Sequence, residues 1–184
     1  MKKLYFLTLL SAIVILGFSY FENERRNLDP VYLDVNNLKS QIFGTGIFNQ
    51  GVEWPKGEGK SVCYTSGLTI ASTINGQYAM SSASYTGEYV PGCIINGVFT
   101  TNSNFRIYKV TKGDNSSTNP DWANWGLMVP YGAPWTDKNN NGTYEPSVDT
   151  PGVRGASQTI FVCMTDADVS QHNIGEGFGG GITS

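Results

Sequence analysis

The chain is poor in the groups that carry most enzyme chemistry. It holds one histidine, His172, and three cysteines, Cys63, Cys93 and Cys163. With a single imidazole and no local nucleophile signature around any of the three thiols, cysteine–histidine catalysis has little to work with. Charge is also scarce: Asp, Glu, Lys and Arg make up 15% of the chain, 15 acidic against 12 basic residues, with no run of one sign. Phosphate binding needs a basic stripe, so nucleic acid is excluded as a partner. Beyond the amino terminus no apolar run is long enough to span a membrane, and no 3.6-residue periodicity of useful length occurs.

The amino terminus is the exception. Lys2 and Lys3 precede an apolar stretch from Leu4 to Leu16, and Gly17-Phe18-Ser19 supplies small residues where a signal peptidase cuts. Cleavage is expected after Ser19, which makes the protein secreted or displayed on the outer cell surface. The alternative is an uncleaved anchor, because apolar residues continue to Phe21; the run is short for a spanning helix. No cysteine follows the apolar stretch to carry a lipid. Without Lys2 and Lys3 the net charge of −3 falls to about minus five. About 165 residues remain, enough for one domain with a core. An oxidising exterior would let one cysteine pair close and leave one thiol over, and the sequence does not choose among the three pairings. Cys163 lies in the apolar run Thr159 to Met164 and reads as a small buried hydrophobe.

Glycine, serine, threonine and asparagine are abundant, as in extracellular β proteins. Val31 to Val35 marks where order begins, and Gly44-Thr45-Gly46 punctuates the stretch that follows. Strand signals take over after Trp54-Pro55. Ser61 to Ile74 is rich in β-formers, and Asn75-Gly76 suits the positive φ angles of a two-residue type I′ hairpin. Asn96-Gly97 repeats that signal between Tyr89–Ile95 and Val98–Thr101. Phe105 to Val110 alternates as a half-buried strand does, and Ser157 to Thr165 is the last strong strand. Asn119-Pro120-Asp121 predicts a helix start, with Asn119 as cap, limited to one or two turns by Gly126. The expected fold is all-β: an antiparallel, sandwich-like module with long loops and one short helical turn, incomplete at its C-terminus. Its expected divisions are a signal peptide at 1–19, a leader segment at 20–56 and a β-rich module at 57–184.

Residues 137–146 form the motif richest in chemistry. Asp137, Asn139 and Asn141 stand at the first, third and fifth positions of a D-x-N-x-N-G run, Gly142 permits the sharp turn, and the Thr143 carbonyl and Glu145 occupy the seventh and ninth. This is the oxygen-donor spacing of a calcium loop. It departs from a full EF-hand: the twelfth position is Val148, with Asp149 one residue later, and no helices flank the run. Calcium as a structural cofactor, held by Asp137, Asn139, Asn141, Thr143, Glu145 and Asp149, is weighed against a plain Asn-rich turn. Trp122, Trp125, Tyr131 and Trp135 crowd together just before it. Such aromatics either fill a core, the favoured reading, or form a platform on which sugars stack. His172 with Asp166, Asp168 and Ser170 offers the residue types of a hydrolase triad without its geometry. Glu53, Glu88, Asp121 and Glu176 offer carboxylates, of which the sequence selects no pair. Gly175 to Gly180 matches G-x-G-x-x-G only formally, since no βαβ context surrounds it.

Ser61 to Ser66, Asn119 to Gly126, Val129-Pro130-Tyr131-Gly132-Ala133-Pro134, the Asp137 loop, Gln158-Thr159-Ile160-Phe161 and Glu176 to Gly181, taken in order, resemble the N-terminal part of large secreted surface proteins of Bacteroidota. In that family a long β-rich ectodomain ends in a C-terminal sorting domain read by the type IX secretion system. The resemblance spans nearly all of the exported chain and implies surface attachment but no particular activity. The family's sorting domain has no counterpart before Ser184, so the chain is expected to be a fragment. The resulting expectation is a non-catalytic, calcium-stabilised module for display or adhesion, with surface glycans or other surface proteins as partners. A carbohydrate-binding module and a piece of an extracellular hydrolase are the alternatives.

Overall fold

A computed structural model describes residues 30–83 and 88–167. The expected signal peptide, His172 with Asp168 and Ser170, Glu176 and the glycine tail lie outside the described residues. Strands and loops dominate, and the all-β class holds. Fourteen short strands pair antiparallel, two by two. Among the described residues no helix is long and apolar enough to cross a membrane.

The first strands are β1 (Val31–Leu33), β2 (Ser40–Ile42), β3 (Ile47–Glu53) and β4 (Ser61–Gly67). β1 pairs with β2 and β3 with β4, and a bridge between Lys39 and Glu53 joins the two pairs into a meander. Three strands thus form within the stretch expected to be a leader. β3 escaped a period-two reading because its register against β4 shifts twice, between Ile47 and Asn49 and between Val52 and Glu53. Each irregularity breaks the alternation that marks a strand in sequence. Asn49, polar yet buried, donates its amide to Ser66 Oγ.

The two Asn-Gly dipeptides make the hairpins they predict. β5 (Thr69–Ile74) and β6 (Gln77–Ser82) pair up to Ile74 opposite Gln77, and β8 (Cys93–Ile95) and β9 (Val98–Thr100) up to Ile95 opposite Val98. Asn75 and Gly76 sit at φ 51° and 78°, Asn96 and Gly97 at 52° and 78°. Both turns therefore place two consecutive residues in the left-handed region, as type I′ requires. Gly67 serves a different need: a Cβ there would lie 1.5 Å from the Ala83 carbonyl oxygen. The backbones of the β4–β5 junction and the β6 exit meet at that point, where Ala83 N–H donates to Leu68 C=O.

β7 (Val90–Pro91) pairs with β14 (Met164–Thr165), and β10 (Tyr108–Thr111) with β13 (Gln158–Phe161). Between β10 and β13 lie helix α1 (Pro120–Asn124), two 3-10 turns at Trp125–Leu127 and Val129–Tyr131, and the short pair β11 (Trp135–Thr136) and β12 (Thr150–Pro151). Asn119 caps α1 as expected, its side-chain oxygen accepting from Asp121 N–H, with Pro120 at the first helical position. Asp121 then fastens α1 to β10 through Lys109 N–H at 2.8 Å and the Arg106 guanidinium at 2.6 Å.

Two apolar clusters hold the fold. The larger comprises Phe105, Tyr108, Val110, Trp125, Met128 and Ala133, with Cys93, Trp122, Trp135, Tyr144, Phe161 and Cys163 packed around it. The smaller, Ile47, Ala83 and Tyr89, is flanked by Phe43, Leu68 and Met164. A polar clasp joins the N-terminal meander to the larger cluster's strands. Lys109 Nζ donates to Tyr32 C=O and Asp34 Oδ1, while Asp34 N–H and Oδ1 meet the Gln158 amide.

Candidate functional site

The strands β11 and β12 are the stem of the Asp137 loop. Trp135 faces Pro151 and Thr136 faces Thr150, so the chain leaves the stem at Asp137 and returns at Asp149. Asp149 closes the neck. It is 1% exposed, and its two carboxylate oxygens accept from Lys138 N–H at 3.0 Å and Glu145 N–H at 2.7 Å. A buried carboxylate is tolerated only when its charge is met by such donors.

Inside the loop the acidic and amide side chains fold back onto the turn. Asp137 accepts from Gly142 N–H at 2.7 Å and, more loosely, from Asn141 N–H; Asn139 Oδ1 accepts from Asn141 N–H and Asn141 Oδ1 from Thr143 N–H. Asn140 and Gly142 take positive φ, 58° and 76°, which bends the chain around these oxygens. Glu145 reaches across from the other limb: its Oε2 accepts from Asn139 Nδ2 at 2.6 Å and Asn141 Nδ2 at 2.7 Å. Asp137, Asn139, Asn141 and Glu145 are thereby brought together at one exposed turn, with Thr143 within the same turn. Asp149 stands apart from them at the neck, its oxygens committed to main-chain amides.

This donor set is all oxygen, the kind a hard cation such as calcium takes, and it contains no thiolate or imidazole. Two carboxylates, Asp137 and Glu145, lie in the turn without an ion pair among the described residues, and only neutral N–H groups meet them. Among the described residues no three His, Cys, Asp or Glu side chains converge, so the amide and main-chain oxygens would have to complete any coordination shell. The residues fit calcium in chemistry and spacing.

The aromatic cluster and the loop form one unit. Tyr144 donates its hydroxyl to Trp122 C=O at 2.7 Å, and Trp122 Nε1–H donates to Pro146 C=O at 3.0 Å. The Tyr144 ring meets Trp135 edge to face, centroids 5.7 Å apart. Burial pushes the Tyr144 phenol well above the usual tyrosine range, and the nearby Asp149 carboxylate adds to the shift. Trp125 is wholly buried, its Nε1–H on Pro134 C=O, with Tyr108 and Phe161 against its ring. It is therefore a core residue and not part of a sugar platform, because no face of the indole is open. Trp122 and Trp135 are half-buried, and the exposed Tyr131 stacks edgewise on Phe105, 5.0 Å between centroids. The four aromatics present no common flat surface; they build the wall that carries the loop.

The remaining candidates are scattered and have other partners. Glu53 accepts from Gly57 and Gly59 N–H in the β3–β4 turn, Glu88 is buried and accepts from Ser82 N–H, and Asp121 is tied to α1 and β10. Cys63 on β4, Cys93 on β8 and Cys163 before β14 are free thiols. Cys163 and Cys93 neighbour each other on the larger cluster, and burial, then that neighbour, pushes the Cys163 thiol up.

A cleft of about 320 Å³ opens beside the stem, lined by β10, the segment after it, β12 and the 152–156 turn, with Trp122 in its wall. Sequence reasoning missed it, because its residues come from separate segments and none belongs to a motif. Comparison with protein-family models, curated proteins and solved structures returned no match to this chain.

Proposed function

We propose that residues 137–149 form a calcium clamp and that the protein is a non-catalytic module displayed outside the cell. The observation that carries this reading is the gathering of Asp137, Asn139, Asn141 and Glu145 at one turn, with two carboxylates left without a cationic partner. In the proposed site Asp137 and Glu145 supply the charge, Asn139 and Asn141 their amide oxygens and Thr143 its carbonyl. Bound calcium would tie the two limbs of the loop together. Asp149 holds the neck, and Tyr144 with Pro146 passes the loop's order to Trp122. An exterior address rests on the signal-peptide pattern of residues 1–19 and on a sparsely charged, β-rich composition. The calcium concentration outside cells suits a site of this modest charge.

Terbium tests the clamp, since Trp135 and Tyr144 lie beside the loop and can sensitise its luminescence. The expected result is a saturable signal that calcium competes away at roughly 10⁻⁴ to 10⁻³ M, the range of extracellular modules, and that Asp137→Ala abolishes. An unsaturable signal, or one untouched by Asp137→Ala, would reduce the loop to an Asn-rich turn.

A further inference from the structure

We propose that the cleft beside the β11–β12 stem binds an acidic saccharide, one bearing carboxylate or sulfate groups. Lys112 and Arg154 line the cleft from opposite segments, Lys112 just after β10 and Arg154 in the turn before β13. No Asp or Glu lines it, although acidic residues outnumber basic ones in the chain as a whole. Neither cation forms an ion pair among the described residues. The nearest carboxylate in sequence, Asp114, is already committed: its Oδ2 accepts from Thr111 N–H at 2.8 Å and Asn119 Nδ2 at 2.6 Å. Two uncompensated cations over one concavity favour an anion, and the planar guanidinium of Arg154 matches a carboxylate or sulfate with two parallel hydrogen bonds.

The rest of the wall suits a sugar better than a bare anion. Trp122 contributes an indole that the loop holds at two points, its Nε1–H on Pro146 C=O and its own C=O under the Tyr144 hydroxyl. A ring fixed in this way loses little entropy when a pyranose stacks on it. Thr111 and Thr159 also line the cleft. Each hydroxyl oxygen already accepts one bond, from Gln158 Nε2 and Val153 N–H, which leaves its proton to donate to a ligand oxygen. Gly113 and Gly155 stand at the rim, where a Cβ would meet nothing within 4 Å, so the mouth is unobstructed. The volume holds one or two sugar residues.

Calorimetric titration with trigalacturonate, its neutral methyl ester and a sulfated galactan oligomer tests this. At least one acidic oligomer should bind at least tenfold more tightly than the methyl ester, and which one binds tells carboxylate from sulfate. Binding should weaken as salt is raised. The double variant Lys112→Gln, Arg154→Gln removes only exposed charges, so it should melt as the parent does and hold the acidic ligand no better than the ester. Trp122→Phe should weaken all binding while the charge preference remains. Equal affinity for acid and ester, binding unchanged in the double variant, or no binding of either acidic oligomer would overturn the proposal.

Discussion

Trp125 is fully buried and its one polar atom is satisfied, so the side chain contributes almost entirely through packing and apolar burial. Trp125→Ala removes the centre of the larger cluster and should cost about 3–5 kcal/mol, the usual range for an aromatic core truncation; denaturant unfolding of parent and variant measures it. Three tyrosines in or beside the clusters, Tyr89, Tyr108 and Tyr144, share a second property. Burial is the first cause that raises each phenol above its ordinary value. Their native pKa values thus exceed the unfolded value of about 10, and the native state holds protons that the unfolded chain has given up. Stability from these groups is complete below about pH 10 and declines as pH rises through that value. An unfolding series from pH 8 to 11, estimates set by that unfolded value, should show a falling midpoint. Tyrosinate absorbance should appear in step with unfolding and not before it. Early ionisation with the fold intact would contradict the buried placement.

At the scale of elements, the turns carry the clearest expectation. Asn75-Gly76 holds two left-handed residues in the β5–β6 hairpin, and a side chain with a Cβ pays about 1–2 kcal/mol per residue there. Replacing both with alanine should speed amide exchange across Thr69–Ile74 and Gln77–Ser82 while leaving Tyr108–Thr111 and Gln158–Phe161 protected; uniform loss of protection would mean the hairpin is part of the global unit. These turns, the Asn119 cap and the Pro120 start were legible in the sequence because each is a local rule: a few adjacent residues decide the backbone. β3 was not legible, since its two register shifts are imposed by β4, and Asn49 is buried only because Ser66 stands opposite. The Asp137 turn was legible as a spacing of oxygen donors. That Asp149 would close the neck, while Glu145 turned back to Asn139 and Asn141, depends on the β11–β12 pairing, which two-residue strands announce weakly. The cleft left no local trace because Lys112, Trp122 and Arg154 meet only through the tertiary fold.

Across the whole molecule, the calcium loop, the aromatic cluster and the cleft share one scaffold. Trp122 belongs to the larger cluster, lines the cleft and receives the loop through Tyr144 and Pro146. The clasp of Asp34, Lys109 and Gln158 then ties the N-terminal meander to β10 and β13, the strands beneath that scaffold. Lys109, and next Gln158, hold the Asp34 carboxyl below its ordinary value, although the pair is solvated enough that its net contribution is of the order of 1 kcal/mol or less. An ion that orders the loop should therefore steady more than its own turn. Thermal unfolding in excess calcium and in chelator, for the parent and for Asp137→Ala, is the most direct test. Calcium should raise the parent's midpoint by mass action on the native state and leave the variant where chelator leaves it. A parent midpoint indifferent to calcium, or a variant that responds as the parent does, would contradict the clamp.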